Sequence, residues 1–331
     1  MVALYSAAWW VAAGRVHSQA DRWIAAAQAH GAQVTPAQIS VGGYPFAFAI
    51  ALNDVSVASP EGFGFTAQSL KLLSRPWAIR RMKVAAVGGF GFTLPPGTVR
   101  PALTVAGETL RGDAVFGDEP IPLAVNLAAD TISASRTAVA GDAGREMTAA
   151  TVTMAGARAT TPPATDTDVA YDLALRLLDV SAQAIEDNPL GGTIQEWAIH
   201  ARLLGPPPAT PDAAGLRAWR DAGGTIDLTD LLLRWGPLRL SASGTAALDA
   251  QMQPEGAFSV QLTGIDPAID ALAAAGWIKP GPAGFAKLGL GLASKPGPDG
   301  TPTVKSPLTI QNRRISLGPV KVGEVPELKL D

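Results

Sequence analysis

From Pro36 onward the sequence keeps largely to a period of two. Phe46, Phe48, Ile50 and Leu52 alternate with Ala47, Ala49 and Ala51, and the pattern returns at Phe90, Phe92 and Leu94 and at Leu123, Val125 and Leu127. It returns again at Tyr171, Leu173, Leu175 and Leu177, and at Trp197, Ile199, Ala201 and Leu203. A period of two sends successive side chains to opposite faces of a strand and is incompatible with a helix. Turn signals separate the runs, among them Ser59-Pro60-Glu61-Gly62 and Gly117-Asp118-Glu119-Pro120, and such short connections join antiparallel strands. The 35 glycines and 27 prolines are interleaved with apolar runs, which fits many turns and argues against disorder. The expected fold is mainly β: an elongated curved antiparallel meander, groove-like or sandwich-like, with an N-terminal helix and a few short helices. One break stands out. The bulky residues are even-numbered up to Leu52, but Val55 and Val57 are odd, so a bulge or tight turn is expected at Asn53-Asp54.

Ahead of this pattern, Val2 to Ala13 is apolar or small except for Ser6, and Arg15 and His17 follow. A bilayer span needs about twenty such residues, and no Lys or Arg precedes the run as a signal peptide requires. Two readings remain. The run is the tail of a longer membrane anchor starting upstream of Met1, or it is an amphipathic helix packed on its own domain. The lack of a polar face before Arg15 favours the anchor, and Trp9 and Trp10 suit a membrane–water interface. Val16, Ala20, Trp23, Ile24 and Ala27 continue at helical spacing until Gly31. Residues 1–33 are thus expected as an N-terminal helix, 34–205 as a first β half, and 206–331 as a second β half with inserted short helices. The boundary is set by the stiff "GPPPATP" at Gly205–Pro211. Helices are expected after Asp212, after Asp266 and within "GPAGFAKLGLGLAS". "WGPLRL" at Trp235–Leu240 and "LGPVKV" at Leu317–Val322 read as one structural corner used twice.

Chemistry is hard to find. There are no cysteines, which removes thiolate ligands and cysteine nucleophiles. The three histidines, His17, His30 and His200, do not share a metal-binding spacing. "DTD" at Asp166–Asp168 lacks the glycine and terminal Glu of a calcium loop. No nucleophile elbow, P-loop or dinucleotide fingerprint occurs. A net charge of −3 provides no footprint for nucleic acid, and the one basic cluster, Arg80, Arg81 and Lys83, reads as a solvated edge or as a contact for lipid headgroups. No catalytic residue, cofactor or metal is expected, and the protein is not expected to be an enzyme.

What the chain has instead is apolar breadth. Many strands pair bulky apolar residues with Ala, Gly or Thr on the second face. Both faces could be covered by protein, or one could curl into a groove for acyl chains, with Phe46, Phe48, Ile50 and Leu52 as candidate lining.

"GGYPFAFAIALNDVSVASP" with the downstream "RPWAI", and the closing "PLTIQNRRISLGPVKVGEVPEL", resemble a domain-of-unknown-function family of Gram-negative envelope proteins. The middle, "LLLRWGPLRLSASGTAALDAQMQPEGAFSVQLTGID", resembles the β-meanders of AsmA-like proteins. The resemblance implies an inner-membrane anchor, a β-rich domain facing the periplasm, and membrane lipid as the partner held in the apolar groove. The alternative is a structural or adaptor protein of the envelope with a filled core and a protein partner. The family supplies no catalytic residues.

Overall fold

The structure is a computed structural model. It describes residues 6, 9, 10, 14, 25, 28–35, 38–96, 102–119, 121–136, 146–208, 212–277, 294–297 and 300–328. Among these are seventeen strands and two α-helices, so the expectation of a mainly β antiparallel meander holds. The chain divides into two compact units, Met1–Ala155 and Gly156–Asp331. The division falls within a strand and not at the proline connector near 205.

In the first unit, β1 (Gln33–Thr35) and β2 (Gln38–Gly42) lie along the same side of β3 (Phe48–Ala58). Successive antiparallel neighbours follow: β4 (Gly64–Arg75), β5 (Ala78–Leu94), β6 (Leu103–Phe116) and β7 (Pro122–Arg136). β8 (Glu146–Arg158) contains the point of division. Ser6, Trp9, Trp10, Gly14, Ala25, Gln28 and Ala29 are helical; the rest of the N-terminal helix expected over 1–33 lies outside the described residues up to Gln28.

A transverse line of irregularity crosses these strands. Asp54 on β3 has φ 55°, Gly88 and Gly89 on β5 have φ 83° and 116°, and Thr131 on β7 has φ 54°. Between them on β6, Glu108 accepts a hydrogen bond from the Thr131 hydroxyl (3.2 Å). A left-handed residue turns the strand over and switches which parity faces the core. Ala129 and Ile132 are accordingly both buried, although they differ in parity. The switch expected at Asn53-Asp54 is therefore real, but it is made by backbone conformation. The pairing with β4 keeps step across it, from Asn53 opposite Ser69 to Val55 opposite Ala67.

The second unit runs β9 (Val169–Ala182), β10 (Thr193–Leu204), α1 (Ala213–Asp221), β11 (Thr225–Trp235), β12 (Leu238–Leu248), β13 (Pro254–Thr263) and α2 (Ile265–Ala274). It ends with β14 (Ser294–Pro296), β15 (Pro302–Gln311), β16 (Arg314–Leu317) and β17 (Val320–Glu324). All pairings among these strands are antiparallel. Gly236-Pro237 and Gly318-Pro319 form two-residue hairpin loops, and both glycines have φ 55°. This is the repeated corner expected from sequence: the mirror-image turn matches strand twist and needs Gly at its first central position.

The side chain of Asp212 caps α1 by accepting from the Gly215 amide (2.7 Å). Trp219 on α1 donates through Nε1 to the Leu204 carbonyl (3.0 Å), and Arg220 donates to the carbonyls of Asp249 and Ala250. These bonds tie α1 to the ends of the neighbouring strands. The proline connector thus delivers a helix inside one unit instead of separating two. The region Gly281–Ala293, where the sequence predicts a further helix, lies outside the described residues. No helix among the described residues is long and apolar enough to cross a membrane.

Candidate functional site

Cross-strand partners share a face, so the register shows which side chains assemble. In the second unit, one row runs Leu177, Trp197, Leu233, Leu240, Leu262 and Val304 across six strands. A second row on the same face runs Leu173, Ala201, Leu228, Gly244, Phe258 and Leu308. The opposite face carries Asp172, Arg176, Glu196, His200 and Arg234. This sheet is amphipathic, and its apolar face is only partly covered. Leu173 is 51% exposed and Trp197 38%, and Tyr171 and Ile226 on the same face are also exposed. Among the described residues no large side chain of the protein is completely buried. Burying such surface contributes about 25 cal/mol per Å², and here much of that stabilisation is unused.

The alternation that stands out in the sequence marks a different set. Phe46 lies outside β3, in a turn closed by bonds from the Phe46 and Ala47 amides to the Gly43 carbonyl, and is exposed. Phe48 is buried, and Ile50 and Leu52 are half-buried. Phe48 is covered by Trp9, whose ring stacks on it at 5.5 Å and 13°. Trp9 is 3% exposed, donates to the Ala47 carbonyl (3.2 Å) and meets Tyr44 edge-on at 5.4 Å. It is therefore a core residue of its own domain instead of an interface tryptophan. Trp10 beside it is exposed.

The idea of strands apolar on both faces also needs correction. Ala51 on β3 sits opposite Lys71 on β4, which sits opposite Ala85 on β5, itself opposite Arg111 on β6. Long cationic side chains from every second strand flank the alanines, so the smooth face is a solvated one. Alternation within one strand cannot reveal this, because the charges come from its neighbours.

The polar face of the second unit holds two charged groups. Glu196, buried on β10, accepts from Arg176 Nε (2.7 Å) and Arg234 Nη1 (3.1 Å). Burial pushes its carboxyl up, but Arg176 and then Arg234 outweigh this and leave it below the ordinary value. Asp172 contacts His200 Nε2 (2.7 Å) and Arg202 Nε (3.1 Å), and the His200 bond lowers its carboxyl further than Arg202 does. Among the described residues no hydroxyl hydrogen-bonds the His200 ring; Thr229 donates only to its main-chain carbonyl. Asp172 thus ties β9 to β10 by a hydrogen bond with His200 and an ion pair with Arg202. No group of three His, Asp or Glu residues could hold a metal among the described residues. Asp168 accepts from the Ala164 and Thr165 amides, which gives the "DTD" stretch a turn-forming role.

Glu196 yields a stability prediction. Replacement by Gln leaves two guanidinium groups without their counter-charge and should cost about 1–3 kcal/mol at neutral pH. A depressed carboxylate stabilises the fold above its unfolded value, near 4.5, and that contribution disappears as pH falls through the folded value. The gap between wild type and Glu196→Gln in urea unfolding should therefore narrow as pH drops below about 4.5. A gap independent of pH would refute the ion-pair account.

One cleft, of about 200 Å³, lies between the start of α2 and β14–β15, lined by residues including Ile265, Pro267, Ser294 and Val304. It is smaller than the roughly 300–1,000 Å³ usual for ligand pockets. The broad apolar face of the second unit is the stronger candidate.

No curated protein and no solved structure matches the chain significantly, and nothing in these comparisons bears on the AsmA-like resemblance. A family model described as "Uncharacterized protein conserved in bacteria (DUF2125)" matches residues 9–326, nearly the whole chain. The chain belongs to this uncharacterised bacterial family.

Proposed function

We propose that this is a non-catalytic protein of the bacterial envelope, tethered at the inner membrane and facing the periplasm, which binds or passes lipid or another hydrophobic ligand on an apolar β face. The observation that carries the reading is the pair of six-strand apolar rows of the second unit, in which Trp197 of the first and Leu173 of the second are left exposed. Leu177 and Val304 at the ends of the first row are buried, while Tyr171, Leu173, Trp197 and Ile226 form an exposed apolar patch on the same face, the kind of surface that marks a binding site. The opposite face carries Asp172, Arg176, Glu196, His200 and Arg234, which leaves the apolar face as the one that suits a hydrophobic ligand.

Organic extraction of the purified full chain, followed by mass spectrometry, tests this directly. Phospholipid or another amphiphile in stoichiometric amount is the expected result. A chain free of any amphiphile that also fails to take up a fluorescent acyl-chain analogue would defeat lipid binding. It would favour the structural or adaptor role.

A further inference from the structure

The strongest unassigned surface lies at one end of the first unit. Antiparallel pairing brings three turns together there: β2–β3 around Tyr44–Phe46, β4–β5 at Pro76-Trp77, and β6–β7 at Gly117–Ile121. Solvated turns are normally tipped with Gly, Asn, Asp or Ser. These are tipped with Phe46, 70% exposed, Trp77, 64%, and Ile121, 62%. Trp10 is 65% exposed, and its segment is fixed at this end: Ser6 Oγ lies 2.6 Å from the Tyr44 hydroxyl, and Trp9 stacks on Phe48.

The same end carries three exposed arginines, Arg75, Arg80 and Arg81, against two exposed carboxylates, Asp118 and Glu119. On β5 the pairing with β4 jumps from Ala78 opposite Arg75 to Met82 opposite Ser74, leaving Ile79, Arg80 and Arg81 as a bulged stretch. Bulges re-aim side chains, and Ile79, Arg80 and Arg81 are all exposed, as is Arg75. Arg80 is paired with Asp118 of the β6–β7 turn. Arg75 and Arg81 form no ion pair among the described residues. Aromatic and aliphatic tips flanked by unpaired arginines match the chemistry of a headgroup layer, where indole and phenyl rings settle at the interface and each cation near the surface gains about 1 kcal/mol from anionic lipid.

We propose that this end of the first unit docks onto the surface of an anionic phospholipid bilayer, with Phe46, Trp77, Ile79 and Ile121 entering the interface and Arg75 and Arg81 meeting the headgroups. The docking goes beyond the proposed carrier role and does not require lipid on the apolar face of the second unit. It concerns vesicle surfaces, whereas the carrier role concerns extracted lipid, so either can fail alone.

The test uses the full chain with vesicles of phosphatidylcholine alone or with about one-third phosphatidylglycerol. Wild type should co-sediment with the anionic vesicles, less so as salt is raised. Phe46→Ser/Trp77→Ser/Ile79→Ser should weaken partitioning to both vesicle types. Arg75→Glu/Arg81→Glu should weaken it only for anionic vesicles, by about tenfold or more. All five side chains are exposed, so the fold should survive, and unfolding curves will verify this. The absence of native cysteine allows a second readout. A polarity-sensitive dye on Ile121→Cys should shift to the blue on vesicle addition, while the same dye on Phe63→Cys, in the β3–β4 turn at the opposite end, should not. Wild-type partitioning by both multiple variants, or equal dye responses at the two ends, would overturn the proposal whichever other segment held the vesicle.

Discussion

Gly264→Val is expected to lower the unfolding free energy of the second unit by about 3–5 kcal/mol. Gly264 is the N-cap of α2 and has φ 71°. A Cβ placed there would lie 1.8 Å from the Pro237 carbonyl oxygen and 2.8 Å from its carbon. Both are main-chain atoms that no rotamer change can move. Pro237 in turn belongs to the β11–β12 turn, where a Cβ on Gly236 would meet the Leu190 carbonyl at 2.2 Å. Three segments therefore stack backbone to backbone: the β9–β10 connection, the β11–β12 turn and the start of α2. The Gly236 amide donates to Gln195 Oε1 (2.9 Å), and Trp235 Nε1 to the Gly191 carbonyl (2.7 Å), which holds the first two together. Gly276 provides the internal control. Its φ is 77°, but a Cβ added there would meet nothing within 4 Å, so Gly276→Val carries the left-handed penalty alone, about 1–2 kcal/mol. Urea unfolding of the two variants separates conformational cost from close approach. Equal losses would mean that the stacking of these segments contributes nothing.

Much of this architecture could be read from the residues, because local rules and tertiary structure agree over most of the chain. The alternation of Tyr171, Leu173, Leu175 and Leu177 required a strand, and β9 forms there. The Gly-Pro corners required a particular turn and produced it twice. Other features depended on information that no single segment carries. The alanines of β3 look like a second apolar face until pairing places Lys71 beside Ala51. Trp9 looks like an interface residue because the apolar run containing it has no polar side, yet an indole with its N–H satisfied by a carbonyl is well suited to burial. The break at Asn53-Asp54 is visible as a change of parity, but a bulge and a left-handed residue change parity alike, and only the pairing register and φ distinguish them. The candidate face of the second unit is the least legible. Its strands are recognisable individually, but Trp197 joins Leu177 and Leu233 only through two strand pairings, one of them made across the connection that contains α1.

If that face holds lipid, Leu173→Glu/Trp197→Glu should abolish co-purifying amphiphile, with a fall of about tenfold or more. The two positions lie on adjacent strands of the apolar face, and both are already substantially exposed, so a carboxylate at either can reach water in the empty protein. With an acyl chain lying over it, the same carboxylate must give up solvent or exclude the chain. Stranding an ionised group against hydrocarbon costs several kcal/mol, whereas a tenfold loss of binding requires only about 1.4 kcal/mol. The binding penalty thus exceeds the folding penalty, and the two separate experimentally. Thr309→Glu, exposed on the opposite face of β15, adds a negative charge to the same unit without touching the apolar rows, and should retain wild-type lipid. Loss of lipid in both variants would point to net charge, and retention in both would move the ligand off this face. Loss confined to Leu173→Glu/Trp197→Glu, with its unfolding midpoint within a few degrees of wild type, ties binding to the apolar surface, because only there does adding charge oppose the ligand more than it opposes the fold.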